Sequence, residues 1–140
     1  MAEGLALDDA LRRFRKLVLD TCVLIDEFNT PTGRLQRINR AQRATSILAV
    51  WEFLHGAGGA MLARDRRVAR RDWLREQEII ALPLHHECST SFQSLLQTDE
   101  GPPSVVDSLL AAECLARHPP VVTANWRHFV AVRGLRYVIW

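Results

Sequence analysis

An α/β sandwich built on a mostly parallel sheet is the fold class this sequence predicts, and three features predict it. Short apolar runs at 17–19, 79–84, 121–123 and 135–140 read as strands, those at 17–19 and 121–123 as buried ones. Helix-compatible stretches separate them, the alternation that builds a parallel sheet flanked by helices. The length of 140 residues is that of one domain with room for a core that needs no staples. About four to five strands are expected.

Taken in order, residues 1–16 read as an N-terminal extension forming a short amphipathic helix. Leu5, Leu7, Leu11 and Phe14 share one face, and Arg12, Arg13, Arg15 and Lys16 lie elsewhere. The first strand, Leu17-Val18-Leu19, ends on Asp20-Thr21. A carboxylate at the carboxyl end of a parallel strand points at the ligand crevice of an open sheet. Asp20 can equally cap the helix that follows it. Thr30-Pro31-Thr32-Gly33 is a turn. Arg34, Arg37, Arg40 and Arg43 then recur every third residue, which on a helix gives a basic stripe. A solvated face is the first reading of it, and phosphate contact the second.

Thr45-Ser46 is an N-cap signal for the apolar helix that contains Trp51, Glu52, Phe53 and Leu54. Glu52 shares a face with Leu48, Ala49, His55 and Gly56, where a lone carboxylate is expensive unless it is paired or meets a cation. Gly56, Gly58 and Gly59 point to close packing after it. Residues 64–75 form a basic helix anchored by Leu62, Val68 and Trp73, and Ile79 to Leu84 is the next strand or a strand edge, since Pro83 cannot donate to a ladder. His85 and His86 lack partners at the usual ligand spacing and read as surface or packing histidines. Residues 87–97 are helical and Thr98 to Pro103 a loop. Ser104 caps a helix on which Asp107 faces inward with Leu110, Ala111 and Cys114, while Glu113 falls on a solvated face. Pro119-Pro120 ends that helix. Val121-Val122-Thr123 is a buried strand that runs into Ala124-Asn125-Trp126-Arg127-His128, a second polar cluster at a strand end.

Composition narrows the function. The apolar fraction of 48% and the charged fraction of 24% are ordinary for a globular protein. Cys22, Cys88 and Cys114 are odd in number and widely spaced, as expected for reduced core thiols of a cytoplasmic protein. No apolar run approaches the length of a membrane span. Residues 1–76 carry 14 Arg/Lys against 10 Asp/Glu, and residues 77–140 carry 4 against 6. That imbalance suits a polyanionic partner without requiring one.

Asp20, Glu52 and Asp107 share one peculiarity: each acid ends, or is embedded in, an apolar element. Brought together they would repel unless a cation neutralised them. Oxygen ligands without Cys or adjoining His select Mg²⁺ or Mn²⁺ over zinc.

Four segments in order, LVLDTCVLID, TSILAVWEFLHG, VVDSLLAAECLA and VVTANWRHF, followed by GLRYVIW, resemble the PIN-domain ribonucleases, most closely the VapC toxins of toxin–antitoxin pairs. The resemblance covers residues 17–140 and implies a single PIN-like nuclease domain there, a three-layer sandwich. It implies a Mg²⁺- or Mn²⁺-dependent endoribonuclease that hydrolyses RNA with an activated water. Asp20, Glu52 and Asp107 would be the catalytic, metal-binding acids, and Thr21 and Thr123 the supporting hydroxyls. Asn125 stands where many PIN domains carry a fourth acid; an amide brings no negative charge, so one well-held ion is expected. Arg127 and His128 are candidate substrate contacts. A homodimer and a VapB-like antitoxin covering the acidic pocket are further implications, with Trp51, Phe53 and Leu54 as groove residues. Two rivals stand beside this reading. One is a catalytically weak PIN-like module that binds RNA. The other is a different Mg²⁺-dependent phosphotransfer domain, which would need a further acid pair or a DxDx(T/V) pattern and a strand-end Lys; Asp20 is followed by Thr-Cys, and the one Lys here is Lys16.

Overall fold

The computed structural model describes residues 1–56, 61–96, 102 and 104–140, with Leu96 described by its backbone alone. Six strands form one sheet: β1 (Glu3–Leu5), β2 (Leu17–Leu19), β3 (Arg43–Ser46), β4 (Ile80–Leu82), β5 (Val121–Thr123) and β6 (Arg136–Ile139). Their order is β1-β6-β5-β2-β3-β4, and every pairing is parallel. The helices are α1 (Leu7–Arg13), α2 (Thr21–Asn29), α3 (Ile47–His55), α4 (Arg64–Glu76), α5 (Cys88–Leu96) and α6 (Val105–Arg117). The predicted parallel α/β class holds, with six strands against the four to five expected.

Strand alternation divides the core into two halves. Leu17 and Leu19 face one side of β2, where they pack with Val23, Leu24, Phe53 and Leu74 of α2, α3 and α4. Val18 faces the other side, against Leu110, Ala111 and Cys114 of α6. A sheet covered on both faces is the three-layer arrangement that short, wholly buried strands require.

From β2 the chain order runs outward one way through β3 and β4, and on the other side lie β5, β6 and β1. The seam between β2 and β5 is therefore the point where strand order reverses. In open parallel sheets the crevice at the carboxyl ends of the strands opens there. Asp20 follows β2, and Thr123 is the last residue of β5.

Several expectations change. Residues 1–16 contain a strand as well as a helix: β1 pairs with β6, and Ala10 of α1 is fully buried. Gly4 lets β1 approach Tyr137, because an added Cβ would sit 3.0 Å from its ring. The arginine stripe is not one α-helix. Arg34–Arg37 and Arg40–Gln42 are 3-10 turns, and Arg43 opens β3. Arg43 is buried because its guanidinium satisfies the carbonyls of Leu35 (2.9 Å), Ile38 (3.0 Å) and Gln77 (2.9 Å). Glu113 is fully buried rather than solvated, since α6 is covered by neighbours over most of its circumference. Phe53 is a core residue, edge-on to Phe28 at 5.8 Å, so of the three groove residues only Trp51 and Leu54 reach solvent. Gly58, Gly59, Thr98 to Gly101 and Pro103 lie outside the described residues.

Candidate active site

Asp20 caps α2: one carboxylate oxygen accepts the Thr21 backbone N–H at 2.7 Å. The cap and the site are thus the same residue, because its second oxygen faces the seam. There it accepts the Thr123 hydroxyl at 2.7 Å and the Cys22 thiol at 3.5 Å. The side chain of Thr21, one residue on, donates to Glu52 Oε1 at 2.9 Å, which ties α2 to α3. Thr123 Oγ1 also accepts the backbone N–H of Asn125 at 3.0 Å, fixing the start of the 3-10 turn Trp126–His128. Ser104 caps α6 through the backbone N–H of Asp107 at 3.0 Å, as its sequence signature predicts. Asp107 Oδ2 lies 3.0 Å from His128 Nδ1.

Three acids from three elements therefore converge on the carboxyl edge of β2 and β5, and their charges interact. Burial pushes the Asp20 carboxyl above its ordinary value; the Thr123 hydrogen bond opposes this and the charge of Asp107 adds to it. Burial likewise raises Glu52, with Thr21 opposing and Asp20 and Asp107 adding. The Cys22 thiol, pushed to about 11 by burial and by Asp20, stays protonated and donates to the acid.

A buried carboxylate with two half-buried ones around it is a donor set suited to a hard divalent cation. Ionised acids and hydroxyls are the ligands that Mg²⁺ and Mn²⁺ take, and Mg²⁺ is commonly held by one or two carboxylates with water completing the shell. The trio is spread more widely than a closed cage. Among the described residues, three such ligand atoms approach within 4.8 Å of one another only at His85, His86 and Glu87, in the surface turn before α5. There the Glu87 backbone N–H donates to His85 Nδ1 at 3.3 Å, and the two imidazoles lie 4.4 Å apart.

The PIN domain family model matches residues 17–135. The chain belongs to the PIN domain family. No curated protein sequence matches it. Among solved structures, a chain of the DNA-bound VapBC complex from Salmonella typhimurium shares 23% identity. It aligns over 89% of this chain and 97% of its own length with a TM-score of 0.75. A chain of the DNA-bound VapBC2 complex from Rickettsia felis aligns over 89% and 98%, with 16% identity and a TM-score of 0.73. One from VapBC-5 of Mycobacterium tuberculosis aligns over 90% and 98%, with 24% identity and a TM-score of 0.61. At these identities the likeness is one of fold.

In this PIN domain Asp20, Thr21, Glu52, Thr123 and Cys22 form one connected set, and Asp107 joins it through charge. Asn125 enters through its backbone. His128 contacts Asp107, whereas Arg127 lies over the Trp126 ring at 5.1 Å. Sequence reasoning missed the role of Cys22, whose place in the first turn of a helix capped by Asp20 was the available signal.

Proposed function

We propose that this PIN domain is a toxin-type endoribonuclease that hydrolyses RNA phosphodiester bonds with Mg²⁺ or Mn²⁺ as cofactor. The observation that carries the proposal is the convergence of Asp20, Glu52 and Asp107 from β2, α3 and α6 at the strand-order reversal, with two of the three carboxyls raised by burial and by their neighbours. Asp20 and Asp107 would hold the ion, which when bound supplies the positive charge that offsets the phosphoryl oxygens in an in-line displacement. Glu52, held by the Thr21 hydroxyl, orients the attacking water and takes its proton. Thr123 keeps Asp20 turned toward the seam. Arg127 and His128, on the turn beside Asp107, are placed to contact the substrate backbone.

The fold relatives are toxin–antitoxin complexes, which supports a VapB-like antitoxin as partner. Trp51 (60% exposed) and the groove lined by Leu54, His55, Arg64, Arg67 and Arg71 offer an apolar and basic surface for it. A homodimer and a cytoplasmic location go with the same reading. Among the described residues no helix is long and apolar enough to cross a membrane. Incubation of the purified protein with a cellular RNA pool, with Mn²⁺ or Mg²⁺ and with EDTA, tests the proposal. Discrete fragments that vanish in EDTA support it, and intact RNA with folded, antitoxin-free protein points instead to an RNA-binding module.

A further inference from the structure

A cavity of about 340 Å³ opens where the chain enters β2 and β5, at the opposite ends of the two strands that carry Asp20 and Thr123. Two segments distant in sequence supply its charges, and Leu82 of β4 completes its wall. Arg13, Arg15 and Lys16 come from the approach to β2, and Arg117 and His118 from the end of α6. Phe14 and Pro119 are among its apolar walls, and none of its lining residues is acidic.

An ordinary reading of these cations is that they complement the carboxyl ends of α1 and α6. Charge arithmetic shows that they exceed that task. Four permanent cations face two helix ends worth roughly half a negative charge each. One nearby exposed carboxylate, Glu3, lies 3.7 Å from Arg13. About two positive charges remain uncompensated. The buried Glu113, 4.0 Å from Arg117, offsets at most one more. Donors remain as well. Lys16 uses one proton on the Ala41 carbonyl at 2.6 Å and Arg117 one on the Pro83 carbonyl at 2.8 Å; Arg117 Nε is buried toward Glu113, and the remaining donors are available to a ligand.

The acid pocket itself repels a polyanion, so affinity for a nucleic acid strand must come from cations elsewhere on the surface. We propose that this cavity is a second anion site, which binds backbone phosphates of the substrate RNA away from the bond being cut, where the chain enters β2 and β5. It rests on the RNA substrate proposed above. Lys16 and Asp20 are about 13 Å apart along β2 at the usual strand rise. A strand that engages both sites must be long enough to run the length of β2. Binding there is electrostatic and independent of base sequence, because the Phe14 ring is already faced by the guanidinium groups of Arg13 and Arg136, each at 5.4 Å.

The test measures anisotropy of a fluorescein-labelled single-stranded oligoribonucleotide with the full chain in EDTA, over a range of salt concentrations. Wild type is compared with the double variant Arg15→Ala/Lys16→Ala, and thermal melting verifies that the variant folds. The double variant should bind roughly tenfold more weakly at low salt, with a salt slope reduced by about 0.7 per lost contact. Its Mn²⁺-dependent hydrolysis of a small chromogenic phosphodiester, too short to reach the cavity, should equal that of wild type. Unchanged RNA affinity and salt slope in a folded variant would overturn the proposal. Pyrophosphate that stabilises wild type but not the variant, with equal RNA affinity for both, would overturn it too, by making the occupant a small free anion. Loss of RNA affinity in the variant, in a protein that hydrolyses no diester at all, would support the site and refute the nuclease reading.

Discussion

Replacing Glu113 by Gln should make the protein more stable at neutral pH, although Glu113 is fully buried. Neither carboxylate oxygen makes a well-formed hydrogen bond, although the Ser46 hydroxyl lies near enough to bias the group. The Ser46 hydroxyl and the Arg117 guanidinium favour the ionised form, but Arg117 Nε stands 4.0 Å away. Burial outweighs both and holds the carboxyl above its ordinary value of about 4.5. The folded state therefore keeps this proton over a pH range in which the unfolded chain has released it. The associated stability is complete below about 4.5 and is lost as pH rises through the folded value. An amide cannot ionise, so the variant should lose that slope. An unsatisfied buried polar group costs about 1–3 kcal/mol, more when charged, and the amide recovers only the part due to charge. Unfolding entropy near 2.1 cal/mol/K per residue converts each kcal/mol into about 3 °C for a chain of this length. A rise in Tm of roughly 3–6 °C is expected at pH ~8, shrinking toward zero near pH ~4.5. Parallel thermal melts of both proteins across this range decide it. Identical pH slopes, or a wild type more stable at the alkaline end, would show that the carboxylate is ionised and paired with Arg117, and would refute the reasoning.

Three further outcomes follow from the contacts described. Arg43→Ala should destabilise the fold by about 3–5 kcal/mol, because the carbonyls of Leu35, Ile38 and Gln77 lose their buried donor; a denaturant midpoint with unchanged slope measures it. Thr123→Val removes the donor to Asp20, lifting that carboxyl further and lowering metal-dependent activity about tenfold or more, whereas Thr123→Ser should retain most of it. Mg²⁺ at about 100 times its Kd should add about 2.7 kcal/mol of stability at neutral pH. Since protons compete for Asp20 and Glu52, whose carboxyls are raised, that gain should fade as pH drops while still above the ordinary carboxylate range. Melts at several pH values, with Mg²⁺ and with EDTA, read this out.

The elements that build the site were the legible ones. β2 and β5 are apolar runs that stop abruptly at Asp20 and after Thr123, while α3 and α6 open with Ser caps and carry their acids on apolar faces. Local pattern and global position agree there, so the seam could be read from residue order. β3 was not legible, since Arg43-Ala44-Thr45-Ser46 has no apolar pattern. Its polar side chains are buried because tertiary partners satisfy them, including the Leu19 carbonyl that accepts the Thr45 hydroxyl at 2.6 Å. β1 lies next to the chain start, and three residues paired at a sheet edge leave almost no periodicity to find. Glu113 carries a charge that local pattern assigns to solvent, and only the packing around α6 reverses that assignment. The contact between His128 and Asp107 joins residues 21 apart and depends on the 3-10 turn after β5.

The central claim is that Asp20 is the pivot of a metal-dependent nuclease site. The most direct measurement is cleavage of a cellular RNA pool by wild type and by Asp20→Asn, each with Mn²⁺, with Mg²⁺ and with EDTA. The account predicts discrete fragments from wild type with metal, none in EDTA, and a loss of ~100-fold or more in the variant, which should melt no lower because a buried carboxyl near Asp107 loses its charge. Cleavage that persists in folded Asp20→Asn, or that ignores EDTA, would contradict it.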